Sequence, residues 1–233
     1  AGQLVTVNPY LACGECNACR KDQTNCCTHI RVLGVHIDGG MTEYISVPES
    51  AVVPVDGLTP DQAAMIEFLA IGAHAVRRGA IGCYDRVLVV GAGPIGVATA
   101  LFARLAGGDV SLIDTSAQRL AHARDKVGLR HVFTVGEGLE AWLNARSESD
   151  GFDAVFDATG SAAAIEAGFK RVAHGGRYIL VSVVKDTIAF SDPEFHKREM
   201  QLIASRNATR HDFQLVIDLM RAGEIPTDAL QTH

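Results

Sequence analysis

The sequence predicts an α/β fold, a doubly wound parallel sheet joined to a smaller, mainly β portion. Three observations predict it. From residue 58 onward, short apolar runs alternate with stretches of helical length, as strands and crossover helices do. The run Arg86–Val90 is apolar on both faces and passes straight into the glycine-rich turn GAGPIG, as a buried central strand requires. Ahead of residue 58 lie short extended runs, frequent turns and four closely spaced cysteines.

Composition narrows the class. The 233 residues suffice for one large domain or two modest ones, and 48% hydrophobic content supports a substantial core. A net charge of -6 argues against wholesale nucleic-acid binding. The uncharged run 87–103 is interrupted by Gly91, Gly93, Pro94 and Gly96, so it reads as strand, loop and helix rather than a membrane span. No signal peptide is expected, and the opening AGQLVTVNPY, with no Met, reads as the inside of a folded unit. Six cysteines, four of them in metal-ligand spacing, point to a reducing, cytoplasmic setting.

Cys13, Cys16, Cys19 and Cys27 form C-x2-C-x2-C-x7-C. Four thiolates suit tetrahedral zinc, and a closed sulfur shell leaves no position for water, so such an ion is structural. An iron–sulfur run starts the same way but continues x3-C-Pro, which this chain does not. Disulfides or free thiols are the remaining alternative, and Cys26, beside Cys27, is an ambiguous fourth ligand. Cys83 reads as an ordinary small residue.

Residues 35–57 read as short strands and turns. Thr59 as N-cap and Pro60 at the first helical position open the next helix. Glu67 lies in it among Ala63, Ala64, Met65, Ile66, Phe68, Leu69 and Ala70. A carboxylate there is paired, metal-associated, at a domain edge or turned to solvent, because burying it alone is costly. His74 reads as structural.

After Arg86–Val90, Gly91, Gly93 and Gly96 form G-x-G-x-x-G with Pro94 and Ile95 between them. The first glycine permits the turn, the second lets a pyrophosphate approach, and the third lets helix pack on strand. The free N–H groups of the following helix favour the diphosphate. Asp114 closes the second strand, where it can accept from ribose hydroxyls and repel a 2′-phosphate; this is the Rossmann fingerprint, with NAD favoured over NADP. Arg119 can accept a phosphate, stack on adenine, pair with Asp114 or simply face water. Strands then fall at 131–135, 152–160, 177–184 and 200–207, with helices at 137–146, 162–173 and 211–222, the second ending near Gly175–Gly176. Ligands of such sheets lie beyond the carboxyl strand ends.

These motifs, in this order, resemble the zinc-containing medium-chain alcohol and polyol dehydrogenases, and the likeness runs along essentially the whole chain. The run AAMIEFLAIGAHAVRRGAI is similar to the sorbitol dehydrogenase stretch E-P-L-S/A-x-G-x-H-A, with Phe68 in place of the usual Pro. The resemblance implies a partial, GroES-like catalytic domain at 1–57 with a structural zinc lobe, and an NAD-binding Rossmann domain at 58–233, incomplete at its C-terminal end. It implies that Asn25 selects Cys27 over Cys26 as fourth ligand. It implies that Glu67 sits in or beside the shell of a catalytic zinc, directly or through water. Residues 36–46 resemble a strand leading toward the cofactor domain. Arg119 is implied in the NAD ribose and adenine region, with residues 157–160, Thr159 among them, and Val181, Ser182 and Val183 lining the ribose and nicotinamide. Arg206 is implied near the substrate, and SDPEFHKREMQLIASRNA looks closest to members acting on sugar acids such as galactonate, gulonate or idonate.

The implied activity is hydride transfer from a secondary alcohol of a polyol or sugar acid to NAD, in a homodimer or homotetramer, with no nucleic acid and no membrane as partner. The family's other catalytic zinc ligands, a Cys and a Gly-His-Glu motif, are expected ahead of Ala1, and further strands beyond His233. The 233 residues by themselves are therefore expected to bind NAD and one zinc without turning over. The alternatives are a zinc-free quinone or enoyl reductase of the same superfamily and a non-catalytic NAD-binding protein.

Overall fold

The computed structural model describes residues 2–231 and divides into two compact units, Ala1–Ile71 with Arg206–His233 and Gly72–Ser205. The first unit is built on short extended pieces. Strand β1 (Val5–Val7) pairs antiparallel with β4 (Val52–Pro54), and β2 (Tyr10–Leu11) pairs antiparallel with β3 (Arg31–Val32). Residues 36–46 do not form a strand. Only an isolated bridge, Leu33 to Ile37, is made there. An edge needs a neighbour to take its N–H and C=O groups; beyond Ile37 the segment makes no bridge among the described residues, and it is mostly exposed.

Helix α1 (Pro60–Arg78) starts as its sequence predicts. Thr59 Oγ1 accepts from the Gln62 amide at 3.2 Å, and Gln62 Oε1 accepts from the Thr59 amide at 2.9 Å. That reciprocal box is worth about 1 kcal/mol. The helix runs on from the first unit into the second.

In the second unit, β5 (Arg86–Val90), α2 (Pro94–Leu105), β6 (Asp109–Asp114), α3 (Ala117–Asp125), β7 (His131–Thr134), α4 (Leu139–Arg146), β8 (Phe152–Asp157), α5 (Ala162–Gly168), β9 (Val172–Leu180), α6 (Asp192–Lys197) and β10 (Gln201–Ala204) follow in order. The six strands form one parallel sheet in the order β10-β9-β8-β5-β6-β7. Strand order reverses on either side of β5, so the crevice at its carboxyl end is the topological switch point. The core on one face joins Leu88, Val155 and Tyr178 of the sheet to Leu143, Ile165 and Phe169. Small residues bring elements close elsewhere: a Cβ on Gly72 would lie 2.7 Å from the Ala98 backbone.

One expected boundary is wrong. The helix over 162–173 stops at Gly168 and passes through a 3-10 turn, and β9 already begins at Val172, so Gly175 and Gly176 lie inside a strand. Packing decides this. A Cβ on Gly168 would sit 2.0 Å from the Tyr178 hydroxyl, and one on Gly176 would meet Val172 and the Asp153 carbonyl. The glycines admit close neighbours and do not mark a loop. Helix α4 likewise starts two residues late, because Gly136 and Gly138 take positive φ.

Beyond Ser205, the first unit resumes with α7 (Arg210–Arg221) and α8 (Thr227–Leu230). Phe213, Val216, Ile217 and Met220 form the buried stripe of α7 at helical spacing, and Tyr10 meets Phe213 edge-on at 6.5 Å.

Candidate metal centre and dinucleotide site

The segment between β2 and β3 folds as two 3-10 turns, Cys19–Lys21 and Thr24–Cys26, with Gly14 and Asp22 in the left-handed region where the chain doubles back. This brings the Sγ atoms of Cys13, Cys16, Cys19 and Cys27 within 4.8 Å of one another. Cys16 and Cys19 Sγ are 3.5 Å apart, and Cys13 and Cys19 Sγ 4.0 Å. Sulfurs held tetrahedrally at the usual zinc distance lie about 3.8 Å from each other, so the donor set fits zinc. Cys26 is exposed and stands outside the cluster.

The lobe favours the thiolate at two of the four cysteines and opposes it at a third. The Cys19 backbone N–H pulls the Cys16 thiol down to about 5, and the Glu15 backbone N–H pulls Cys13 down to about 7. Burial pushes Cys19 up to about 12, with Cys16 adding to the shift. The amides of Cys13 and His29 both donate to Cys27 Sγ at 3.3 Å. Bonds of this kind orient a sulfur ligand and spread its charge.

At the switch point, Gly91 has φ +103, and its Cβ would meet the Ala158 carbonyl at 3.0 Å. A Cβ on Gly96 would fall 1.8 Å from the Gly91 oxygen. Gly93 faces open space, with nothing within 4 Å of where its Cβ would be. Pro94 is the first residue of α2, and no side chain caps that helix, so the amides of Ile95 and Gly96 in its first turn are left to a ligand. The cradle therefore fits a dinucleotide diphosphate.

Asp114 is buried at the end of β6. Its Oδ2 accepts from the Ala92 amide at 2.6 Å and its Oδ1 from the Ser116 amide at 2.7 Å. The same carboxylate thus braces the glycine turn. Arg119 Nη1 stands 4.0 Å from Asp114 Oδ2, with its side chain 62% exposed.

Thr159 and Ser182 meet through Asp157, which opens the strand-end run 157–160. Asp157 Oδ1 accepts from the Thr159 amide (3.0 Å), the Thr159 hydroxyl (2.9 Å) and the Ser182 hydroxyl (3.1 Å). Its Oδ2 is buried with no partner among the described residues. Burial raises its pKa, against the lowering effect of the Thr159 and Ser182 bonds. The Asp157 carbonyl accepts from Val181 and Ser182, while Val183 projects into solvent.

In the first unit, Glu67 is half-buried, and the buried Tyr10 hydroxyl donates to its Oε1. Burial, reinforced by Glu67, pushes the Tyr10 hydroxyl above its ordinary value. Arg206 is exposed, and its backbone carbonyl accepts from Asn25 Nδ2 at 2.8 Å. His74 lies 3.0 Å from Arg77 Nη2, consistent with its structural reading. A cavity of about 600 Å³ lies against Gly151, Phe152 and His174, at the amino ends of β8 and β9 and away from the glycine cradle. No helix among the described residues is long and apolar enough to cross a membrane.

A parallel sheet with a glycine cradle at its switch point, in a chain that also carries a four-thiolate lobe, defines a zinc-binding, nucleotide-dependent oxidoreductase. Sequence comparison agrees. The pattern of the zinc-binding dehydrogenases matches residues 94–222, and that of the alcohol dehydrogenase GroES-like domain matches residues 1–57. The chain belongs to this family, the zinc-type, NAD-dependent alcohol dehydrogenases. It is 45% identical over 232 residues to L-galactonate-5-dehydrogenase of Escherichia coli K12, a match covering all of this chain and 68% of that protein. It is 34% identical over 232 residues to D-altritol 5-dehydrogenase of Agrobacterium fabrum, covering 97% and 67% respectively. Among solved structures, an alcohol dehydrogenase from E. coli CFT073 complexed with the cofactor NADH superposes with a TM-score of 0.92 at 26% identity, covering 98% of this chain and 68% of that one. The chain thus spans about two thirds of the length of the relatives it matches.

Proposed function

We propose that the protein oxidises a secondary hydroxyl of a sugar acid, with polyols as the neighbouring substrate class. The observation that carries this reading is the 45% identity, along the whole chain, to a relative named for L-galactonate. When bound, zinc supplies the Lewis acid that makes a secondary hydroxyl acidic, and NAD supplies the hydride acceptor. The residues of this chain bind and orient.

In this reading the four thiolates of Cys13, Cys16, Cys19 and Cys27 hold a structural ion with no vacant position. Gly91, Gly93, Pro94, Ile95 and Gly96 take the diphosphate, supported by the open space at Gly93. Asp114 accepts from the adenosine ribose, for which its oxygens retain lone pairs beyond the two amides they bind. Arg119 closes that side. Thr159, Val181, Ser182 and Val183 flank the nicotinamide ribose. Glu67 stands at the catalytic zinc, supported by its Oε2, which accepts no hydrogen bond among the described residues. Arg206 meets the substrate carboxylate; its guanidinium is exposed and makes no ion pair among the described residues. Residues 1–57 belong to the catalytic, GroES-like domain and 58–233 to the NAD domain. The protein is cytoplasmic and assembles as a homodimer or homotetramer, a reading supported by the open outer edge of β10.

Initial rates of NAD reduction by the full-length gene product test the reading, with zinc per chain measured on the same preparation. Galactonate, gulonate and idonate are expected to reduce NAD faster than sorbitol, and Glu67→Ala is expected to abolish turnover while the lobe keeps its zinc. Tight NAD binding with no NADH formed from any secondary alcohol would overturn it.

A further inference from the structure

The hydroxyls of Thr159 and Ser182 are oriented by a carboxylate that is itself buried. Asp157 stands at the carboxyl end of β8, in register with Val90 of β5 on one side and Leu180 of β9 on the other. The residues that follow it lie against the glycine turn. A Cβ on Gly91 would meet the Ala158 carbonyl at 3.0 Å and Thr159 Cγ2 at 3.3 Å. Ser182 is tied to Asp157 twice: its amide donates to the Asp157 carbonyl at 3.2 Å, and its hydroxyl donates to Oδ1 at 3.1 Å. Ser182 is half-buried and Thr159 exposed, so a bound molecule can reach this strand end.

A serine or threonine hydroxyl has one hydrogen and two lone pairs. The Thr159 amide can only donate, so Asp157 Oδ1 accepts at this point, and both hydroxyls give it their single hydrogen. Thr159 Oγ1 also accepts from the Ser161 amide at 3.1 Å, which leaves it one lone pair. Ser182 Oγ accepts nothing among the described residues and keeps both. Beside the glycine cradle these side chains therefore present lone pairs and no hydroxyl hydrogen. A phosphate or carboxylate oxygen finds no hydroxyl donor there, whereas a sugar hydroxyl finds an acceptor. We propose that Asp157 is a positioning residue for the cofactor: by taking the Ser182 hydrogen it makes that hydroxyl a fixed acceptor for a hydroxyl of the nicotinamide ribose. This rests on the reading of Thr159 and Ser182 as residues that flank that ribose. A free serine turns among its staggered positions and can meet a sugar as donor or acceptor. One held by a buried carboxylate is already oriented, so less freedom is lost when the cofactor binds.

Fluorescence titration of NADH into the full-length gene product tests this. Ser182→Ala is expected to bind NADH about two- to tenfold more weakly, the scale of one hydrogen bond. NADH lacking the 2′ or the 3′ hydroxyl of its nicotinamide ribose then identifies the partner. For one of these two analogues Ser182→Ala is expected to cost nothing further, because the other end of the bond is already gone. Equal weakening of NADH and both analogues would show that Ser182 does not accept from the ribose, and would overturn the inference. Asp157→Ala is expected to weaken NADH binding about as much as Ser182→Ala does, and the double variant is expected to bind like either single one. Asp157→Asn, which returns an accepting oxygen to the same place, is expected to recover most of the affinity. Losses that multiply in the double variant, or an Asp157→Asn variant as weak as Asp157→Ala, would sink the role of Asp157 alone. NADH affinity untouched by Ser182→Ala would sink the reading that this strand end flanks the nicotinamide ribose.

Discussion

Between Cys13 and Cys27 only Asn25 and Cys27 are buried, whereas every residue of β5 after Arg86 is. The cysteine loop has two 3-10 turns and no strand of its own, while the nucleotide-binding unit has a six-stranded sheet with apolar side chains on both faces. The two regions are ordered by different physics. A loop with so little apolar surface cannot offset its lost chain entropy, so it depends on coordination bonds. The sheet needs no ligand to fold, and its glycines leave a cradle that is ready before the cofactor arrives.

The largest effect expected from this contrast is loss of the metal. Structural zinc contributes about 10–16 kcal/mol of coupled binding and folding in small sites. Chelation, or Cys16→Ser, should remove one zinc per chain and open residues 12–33 to proteolysis, yet leave NADH affinity in place. If NADH binding disappears with the zinc, the two regions do not order independently and the contrast breaks.

Next comes Gly96→Ala. Its Cβ would meet a backbone oxygen at 1.8 Å, an atom that cannot swing away. Overpacking of this kind costs about 1–3 kcal/mol, so a lowered melting temperature together with lost NADH binding is expected. Gly93→Ala sharpens the comparison, because its Cβ meets nothing in the chain. It should melt like the parent but bind NADH about tenfold more weakly, or about 1.4 kcal/mol, as titrated by fluorescence. An unchanged dissociation constant would mean that the open space is not where the diphosphate lies.

The smallest effect is a pH dependence at Asp157. Burial raises its folded pKa above the unfolded value, so the folded state holds a proton that the unfolded state releases. Stability from this group is therefore full below the ordinary carboxylate range and declines as pH rises toward the raised value. Denaturant titrations should show the Asp157→Asn variant gaining on the parent over that interval. A difference that does not move with pH would show that Asp157 is not the group responsible.

The strand β5, the glycine turn, Asp114 at the end of β6 and the capping box at Thr59 were all legible, because each is a short pattern enforced by local geometry. The cysteine spacing was legible for the same reason: ligands within one loop reach a common point whatever surrounds them. The start of β9 at Val172 was not. Gly175 and Gly176 look like a loop in sequence but lie inside β9, where Gly176 is a site of close approach to Val172 and to a carbonyl that only the folded sheet brings near. The segment 36–46 misled for the opposite reason, since its strand-like residues have no neighbouring edge here.

By itself, then, the sequence determined the class of fold, the four cysteines that cluster and the glycine turn at the switch point, since these depend on neighbours within a few residues. Only the tertiary structure decided that Asp157 ties Thr159 to Ser182, that Asp114 also braces Ala92, and that Tyr10 holds Glu67. The bonds of Asp157 to Ser182, Asp114 to Ala92 and Tyr10 to Glu67 each join atoms on separate elements. A hydrogen bond forms only when packing has set both ends within about 3 Å, and no local pattern records that distance.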